Sequence, residues 1–401
     1  MSSTTMVDLT GSFATGMHEV LAEAARQGPL ATDEITGATV VLRQCDVETL
    51  ARDERLKGIG LALFDFMGIS DGPLRDWYSR LMFTTEGDSH RRLRSLVSRA
   101  FTPRSVEGLR STAAGMAAAA IASATLDGGD LVASCAGLAT RLICRLLGVP
   151  DGDVGAFTRW ADALSPVFYV MTPDQIAGAT RAIVELQRHI EALAQRRTED
   201  PRPDLITALL TAAADGDRLS RDETVAMIAN LLVAGHDTTG SQIPCSLLVA
   251  LQHRDRLAGV AGDDVRLASA VAETMRLEPS IPLIPRTAVE PIDLHGTTIP
   301  AGSIVLLCIA SACRDATAWP SPDRFDPERF MRAGTPRLMN FGAGAHYCLG
   351  TSLAKVAVEE CVRALLAARP ALHLGQDPAD IAWRRILGRS PKRLLIGVDA
   401  S

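Results

Sequence analysis

The chain lacks the features that mark several classes of protein. Its 401 residues carry a formal net charge of −6, which argues against a nucleic-acid-binding protein. The first residues, MSSTTMVDLTGSFATG, contain no basic region followed by an apolar one, so we expect no secretory signal. The longest uncharged stretch, 294–313, includes Pro300 and Gly302 and is a poor membrane span. We therefore expect a soluble cytoplasmic protein that binds neither nucleic acid nor membrane.

Paired metal ligands are also missing. The eight cysteines lie mostly in apolar segments, and without secretion we expect them to be reduced thiols. No Cys-x-x-Cys pair and no His-x-x-x-His accompanies them, so a tetrahedral zinc site in a hydrolase, built on Cys348 and His346, has no complete ligand set.

Apolar residues at spacings of three and four dominate what is present, and they predict long helices over segments such as 106–126, 173–197, 221–252 and 351–368. Strand candidates are short and lie at 38–43, 297–308 and 393–398. No repeat or linker divides the chain. The sequence therefore predicts a mainly α fold with small β-sheets, in one domain spanning 1–401.

The decamer FGAGAHYCLG, residues 341–350, places Cys348 among three glycines, just before a predicted helix. A lone cysteine in such a turn is most often a buried thiol. Here Gly342, Gly344 and Gly350 permit close approach of the backbone to a flat group, and the positive end of the following helix favours a thiolate.

This decamer resembles the haem-ligand loop of the cytochrome P450 family. Four further segments match family motifs in the right order, and the resemblance spans roughly residues 38–398: HRRLRSLVSRAF (90–101), AGHDTT (234–239), ETMR (273–276) and PDRFDPERF (322–330). It implies a haem b between a long central helix and the cysteine loop, with Cys348 as the iron ligand. It also implies that electrons from NAD(P)H activate dioxygen.

The same resemblance assigns roles within AGHDTT. Thr238 is expected to donate a hydrogen bond during dioxygen activation, and Asp237 to gate protons and water. Ala234 leaves room beside the haem and lines the substrate pocket. Because Asp and Thr side chains compete for backbone hydrogen bonds, we expect a local opening of the helix there. Pro244 is expected to kink the same helix.

Residues around the cofactor are implied in the same way. His90, Arg94, Arg286 and His346 match positions that contact the haem propionates, Phe341 shields the thiolate, and Gly342 and Gly350 bring the loop close. Glu273, Arg276 and Arg329 match a buried network that holds the cysteine loop. The family's Pro-Pro-x-His approach is replaced here by TEGDSH (85–90).

The expected substrate pocket is mainly apolar, which favours hydroxylation of a mainly hydrophobic small molecule in bacterial secondary metabolism. Its expected lining includes Asn230 as a polar anchor, Leu283, Ile284 and Leu387, with the segments 64–67 and 167–171. His236, next to Asp237, is expected to be structural, because adjacent helical residues point about 100° apart.

Electrons must come from another protein, because the chain has no Gly-x-Gly-x-x-Gly nicotinamide fingerprint. The resemblance implies a ferredoxin and its reductase, with Arg91, Arg92, Arg99, Arg104 and Lys355 as a basic docking face. Alternatives stay open: epoxidation, oxidative coupling or peroxide-driven oxidation, and, from another class, a non-catalytic haem sensor.

Overall fold

Helices make up most of the chain, as the apolar spacing predicts. The computed structural model describes residues 5–12, 16–126, 129–214, 217–368, 371–385 and 388–398. Its α-helices are α1 (Leu9–Ser12), α2 (Met17–Gln27), α3 (Gln44–Leu50), α4 (Ala62–Phe66), α5 (Pro73–Ser79), α6 (Gly87–Ala100), α7 (Pro103–Glu107), α8 (Arg110–Leu126), α9 (Leu131–Cys135), α10 (Leu138–Leu147), α11 (Val154–Leu164), α12 (Pro173–Glu199), α13 (Leu205–Thr211), α14 (Arg221–Gln252), α15 (Asp264–Leu277), α16 (Ile309–Ala312) and α17 (Thr351–Ala367).

The longest helix, α14, runs through the helical body. Ser220 and Glu223 form a reciprocal capping box at its start, in which each side chain accepts the other's amide. Apart from a patch between Ala234 and Gly240, nearly all residues from Thr224 to Leu251 are buried, as expected of a helix surrounded by other elements. Its neighbours include α10, α12, α15 and α17.

In the described part of the chain, the strands are short and form one six-stranded mixed sheet and four two-stranded sheets. They are β1 (Thr5–Val7), β2 (Leu30–Asp33), β3 (Thr39–Val41), β4 (Leu56–Lys57), β5 (Ala213–Ala214), β6 (Asp217–Arg218), β7 (Leu283–Ala288), β8 (Ile292–Leu294), β9 (Thr297–Ile299), β10 (Ile304–Cys308), β11 (Leu372–Leu374), β12 (Trp383–Arg385), β13 (Arg389–Pro391) and β14 (Ile396–Val398). The six-stranded sheet has the order β1-β2-β3-β10-β7-β4. The prediction of a mainly α fold with small sheets is confirmed.

One expectation about α14 is not met. The helix continues through Asp237 and Thr238 without an opening; the Thr238 hydroxyl donates to the carbonyl of Ala234, 2.7 Å away, and Asp237 accepts from a distant hairpin. Pro244 is buried inside the same continuous helix, and the kink expected there stays a prediction. Within the described part of the chain, no helix is long and apolar enough to cross a membrane.

Candidate active site

The cysteine loop has a backbone that only some residues can adopt. Gly342 and Gly344 have φ angles of 68° and 70°, in the left-handed region. A Cβ on Gly344 would lie 2.8 Å from the carbonyl oxygen of Ala51, so the loop packs directly on the neighbouring chain. Gly350, by contrast, has φ −80°, which other residues also adopt, so the expected need for glycine there is not met.

Cys348 lies three residues before α17. Its amide donates to the Phe341 carbonyl at 2.9 Å, and its carbonyl accepts from the Thr351 hydroxyl at 2.8 Å. Cys348 is exposed as a residue, yet enough protein surrounds its thiol to desolvate it in part. Burial raises the pKa of the Cys348 thiol, although the Gly350 amide, Thr351 and Arg94 act in the opposite direction.

Groups that stabilise a thiolate are therefore present around Cys348. In the polypeptide alone, however, the effect of burial on the pKa of Cys348 is larger than theirs. A thiol in this position becomes a thiolate when a metal ion coordinates it.

Two side chains of helix α6, those of His90 and Arg94, contact backbone carbonyl groups of the cysteine loop. The ring nitrogens of His90 lie 2.8 Å from the Met82 oxygen and 3.1 Å from the Ala345 oxygen, and Arg94 donates to the Tyr347 oxygen at 2.6 Å. His90 is buried. Both side chains thus contact the loop backbone.

Two arginines beside the loop have no carboxylate partner in the described ranges. Among the described residues, Arg94 donates a hydrogen bond only to the Tyr347 carbonyl, and Arg286 donates only to the Pro285 carbonyl, 3.0 Å away. Burial lowers the pKa of Arg286, and the more remote charge of Glu86 opposes this only in part. A guanidinium in such surroundings calls for an anionic group.

His346 does have a carboxylate partner. Its Nε2 lies 3.2 Å from Glu86 Oε1, and its ring centroid lies 4.2 Å from that of His90. Burial lowers the pKa of His346, with Glu86 opposing and His90 and Arg286 assisting. Glu86 also accepts from the Gly58 amide at 2.8 Å. The unusual TEGDSH segment thus supplies a carboxylate that the motif comparison did not indicate.

Glu273, Arg276 and Arg329 meet in one buried cluster. Arg276 donates to the Glu273 carboxylate at 2.7 and 2.8 Å, and Arg329 donates to it at 3.0 Å. The side chains of Glu273 and Arg276 are 0% exposed and that of Arg329 is 7% exposed. Asn340, next to the decamer, donates to the Met275 carbonyl at 2.8 Å and so ties the loop to α15.

The middle of α14 offers an accessible patch in an otherwise buried helix. Ala234 is exposed and Thr238, one turn later, is half-buried. The single proton of the Thr238 hydroxyl is donated to Ala234, so its oxygen is left as an acceptor.

Asp237 is 4% exposed and is bound by the C-terminal hairpin β12–β13. Its Oδ1 accepts from Arg384 Nη2 at 2.9 Å, and its Oδ2 accepts from the Gly388 amide at 3.2 Å. The same Arg384 nitrogen lies 2.7 Å from Ser241 Oγ, one turn along α14. A Cβ on Gly388 would lie 2.4 Å from Ser241 Oγ, so the hairpin packs directly on the helix.

Arg384 and Gly388 were missed by the sequence analysis, whereas a third residue, Tyr169, lies in the segment 167–171 that it named. Burial and the nearby Asp237 raise the pKa of Tyr169, and Arg384 opposes them, so the phenol belongs to the same cluster. Arg384 is 147 positions from Asp237, and no local pattern links them.

The expected pocket residues are only partly brought together. Ile284 Cδ1 would lie 3.8 Å from a Cβ on Gly342, next to the cysteine loop. Asn230 is buried and its amide contacts Met227 Sδ at 3.8 Å. Leu283 packs against the core beside the sheet, and Leu387 lies outside the described residues. The two flanking segments do meet, since the Met171 amide lies 3.1 Å from Met67 Sδ.

Among the described residues, His236 forms no hydrogen bond with Asp237 or with the cysteine loop. Its Nδ1 lies 2.5 Å from the Thr140 hydroxyl and its Nε2 lies 2.9 Å from Asp162 Oδ1. Thr140 is fully buried, so the arrangement cannot serve as a nucleophile with its base. His236 joins α14 to α10 and α11.

These residues fit a haem. Among the described residues, no group of three or more His, Cys, Asp and Glu side chains could hold a metal ion, so Cys348 suits a metal that brings its other ligands. Arg94 and Arg286 offer charge for the propionates, and the positive-φ glycines form a loop without protruding side chains. The zinc alternative has no ligand set among these residues.

Comparison with known proteins agrees with this reading of the site. The sequence model described as Cytochrome P450 matches residues 266–368, which include Glu273 and Cys348. The chain is 39% identical over 310 residues to the cytochrome P450 monooxygenase PikC of Streptomyces venezuelae, covering 75% of this chain and 72% of PikC. It is 33% identical over 410 residues to 6-deoxyerythronolide B hydroxylase of Saccharopolyspora erythraea, covering 99% and 98%.

Solved structures are similar over almost the whole chain. CalO2 has a TM-score of 0.86 at 28% identity, covering 96% of each chain. CYP109Q5 from Chondromyces apiculatus has a TM-score of 0.85 at 25% identity, covering 100% of each. The family implies a haem and an external electron donor. The chain belongs to the cytochrome P450 family and is a bacterial-type monooxygenase.

Proposed function

We propose that this monooxygenase hydroxylates a mainly hydrophobic small molecule of bacterial secondary metabolism. The observation that carries the proposal is the accessible patch at Ala234 and Thr238, next to the buried Asp237 in an otherwise buried α14. The names of two relatives, 6-deoxyerythronolide B hydroxylase and mycinamicin IV hydroxylase/epoxidase of Micromonospora griseorubida, support the substrate class.

Cys348 would bind the haem iron, with Phe341 covering the loop and Gly342 bringing its backbone close. Arg94 and Arg286 would bind the propionates, while His90 and His346 hold the loop and Glu86 in place. When bound, the haem supplies the redox chemistry that activates dioxygen. The polypeptide supplies the pocket, the orientation and the protons.

Proton handling falls to the Asp237 cluster in this proposal. Asp237 can exchange protons, but its carboxylate is bound to Arg384 and the Gly388 amide. Arg384 is 35% exposed and therefore joins the buried acid to water. Thr238 donates toward the pocket once its hydroxyl rotates away from the Ala234 carbonyl.

The substrate would lie against Ala234 and Ile284. Asn230 is buried and its amide lies 3.8 Å from Met227 Sδ, so its role as a polar anchor stays a prediction. Tyr169 and Arg384 would add a polar end to an otherwise apolar pocket.

Turnover with a reconstituted electron supply tests the function. The haem-loaded protein is screened for substrate-induced spectral shifts with 6-deoxyerythronolide B, mycinamicin IV and other hydrophobic metabolites, and hits are turned over. We expect a product one oxygen heavier, with the oxygen in a hydroxyl group.

An epoxide as the main product would favour the alternative that the mycinamicin relative's name suggests. No product from any binder, with a normal reduced carbon-monoxide spectrum, would favour a haem sensor.

Thr238→Ala tests the proposed proton role. We expect the electron donor to be consumed but to yield mainly hydrogen peroxide. Thr239→Ala is the matched control, because Thr239 is the buried neighbour on another face of α14. Equal product yields per electron in both variants would contradict the role of Thr238.

We further propose a ferredoxin, reduced with NAD(P)H by its reductase, as the donor. The side chains of Arg91, Arg99, Arg104 and Lys355 are exposed, although Arg91 pairs with the exposed Asp88. Arg92 pairs with Glu223 at 2.6 Å and is less available. An acidic partner should reduce the enzyme faster at low salt. A rate independent of salt would contradict this docking face.

A further inference from the structure

A cleft of about 780 Å³ lies between a 3₁₀ turn (Arg254–Leu257), the first turn of α15 and residues 318–336, and it shares Arg329 with the Glu273 network described above. The decisive feature is its charge. Its lining includes five arginines and two acids: Arg256, Arg266, Arg324, Arg329, Arg332, Asp326 and Glu328.

The two acids neutralise only part of this charge. Asp326 pairs with Arg332, and Glu328 lies 3.4 Å from Arg266. Arg329 is paired with Glu273 behind the wall of the cleft. In the described ranges, no carboxylate forms an ion pair with Arg324, and Arg256 has only the Phe325 carbonyl, 3.3 Å away.

One arginine atom points to a missing acceptor. Arg266 Nε is buried and has no hydrogen-bond partner among the described residues. A buried N–H without an acceptor is costly, so a polar ligand oxygen would remove that cost. Arg256, Arg266 and Arg324 come from three separate segments around the cleft.

The wall behind these arginines is rigid. Arg329 donates to the carbonyls of Pro320, Ser321 and Arg324 at 2.7, 3.3 and 3.0 Å. Trp319 is fully buried and donates to the Ala312 carbonyl at 2.9 Å. A fixed wall limits the ordering cost of binding to the cationic side chains at its rim.

We propose that this cleft binds a small phosphate-bearing anion. Its volume falls in the usual range for small-molecule sites, roughly 300–1,000 Å³. Guanidinium groups on several sides suit a tetrahedral group with oxygens in several directions, which a single carboxylate does not offer. This inference does not depend on which substrate is oxidised at the haem.

Inorganic pyrophosphate is the probe. It is titrated calorimetrically into the haem-loaded protein at fixed ionic strength, with sodium chloride as the reference. We expect saturable 1:1 binding, weakened about tenfold or more by Arg324→Gln and by Arg256→Gln, since each removes a charge-assisted contact.

Arg202→Gln is the matched control. Arg202 is similarly exposed and pairs with Asp200, and both residues are far from the cleft residues in the sequence. The substitution removes the same charge. It should leave pyrophosphate binding unchanged within about twofold.

Three outcomes overturn the proposal. The first is that pyrophosphate shows no binding above the chloride reference. The second is that Arg202→Gln loses as much pyrophosphate affinity as the two cleft variants. The third is that these arginines bind an acidic ferredoxin but do not bind pyrophosphate. Within the described ranges, the Arg324 side chain forms no hydrogen bond or ion pair, so Arg324→Gln should keep the haem spectrum of the unaltered protein and report on binding alone.

Discussion

Removing the charge of Glu273 should destabilise the protein by roughly 3–5 kcal/mol, the usual cost of leaving part of a buried ion pair without its partner. Glu273→Gln keeps the shape of the side chain but leaves two guanidiniums without a counter-charge. Arg276 is 0% exposed and Arg329 is 7% exposed, so water cannot replace the carboxylate. The amide also turns one acceptor into a donor that faces Arg276.

Denaturant unfolding of the haem-loaded protein measures this cost, and the reduced carbon-monoxide spectrum reports whether the cysteine loop stays in place. Glu48→Gln is the control: it is the same substitution in the Arg52 ion pair on α3, where the side chains are 34% and 41% exposed. We expect it to cost about 1 kcal/mol or less. Equal costs for both substitutions would refute the reasoning.

Two other predictions follow from single contacts. Gly344→Ala should impair haem incorporation, because its Cβ would lie 2.8 Å from the Ala51 carbonyl at φ 70°, whereas Gly240→Ala, with nothing within 4 Å, should retain the absorbance ratio of haem to protein. Burial alone would raise the pKa of Glu278, but His18 and other cations lower it to about 2 from its ordinary 4.5. Its contribution to stability is therefore present above pH 4.5 and lost as the pH falls toward 2, and acid unfolding of Glu278→Gln should lack this component.

Much of this arrangement could be predicted because its signals are local. Amphipathic spacing predicts α14 and α17, and a strict decamer places Cys348 before a helix. The grouping of Glu273, Arg276 and Arg329 required one distant partner, but Glu273 and Arg276 are three residues apart on one helical face.

The rest could not be predicted because it depends on contacts between loops far apart in sequence. Glu86 and His346 are 260 positions apart, and only folding brings TEGDSH against the decamer. Arg384 is one of several arginines near the C-terminus, and nothing in its neighbours indicates Asp237. The expected opening of α14 was wrong because local propensity was overridden: Thr238 bonds within the helix and Asp237 bonds to the hairpin.

The two ionic clusters beside the proposed haem site are the Glu273 network and the pair of Asp237 with Arg384. They differ in the free energy needed to separate their charges. Separation of the Glu273 network would leave charges without partners and with almost no access to water, which costs much free energy. The cysteine loop is therefore held firmly on the side that would fix the iron. If Arg384 leaves Asp237, its partly exposed guanidinium can bind water instead. The buried strand β13 stays packed on α14, where the Cys245 thiol donates to the Arg389 carbonyl at 3.3 Å. Separating Arg384 from Asp237 therefore costs less free energy than separating the Glu273 network. A motion of the Arg384 side chain alone would therefore leave the metal ligand undisturbed and open the buried Asp237 to water.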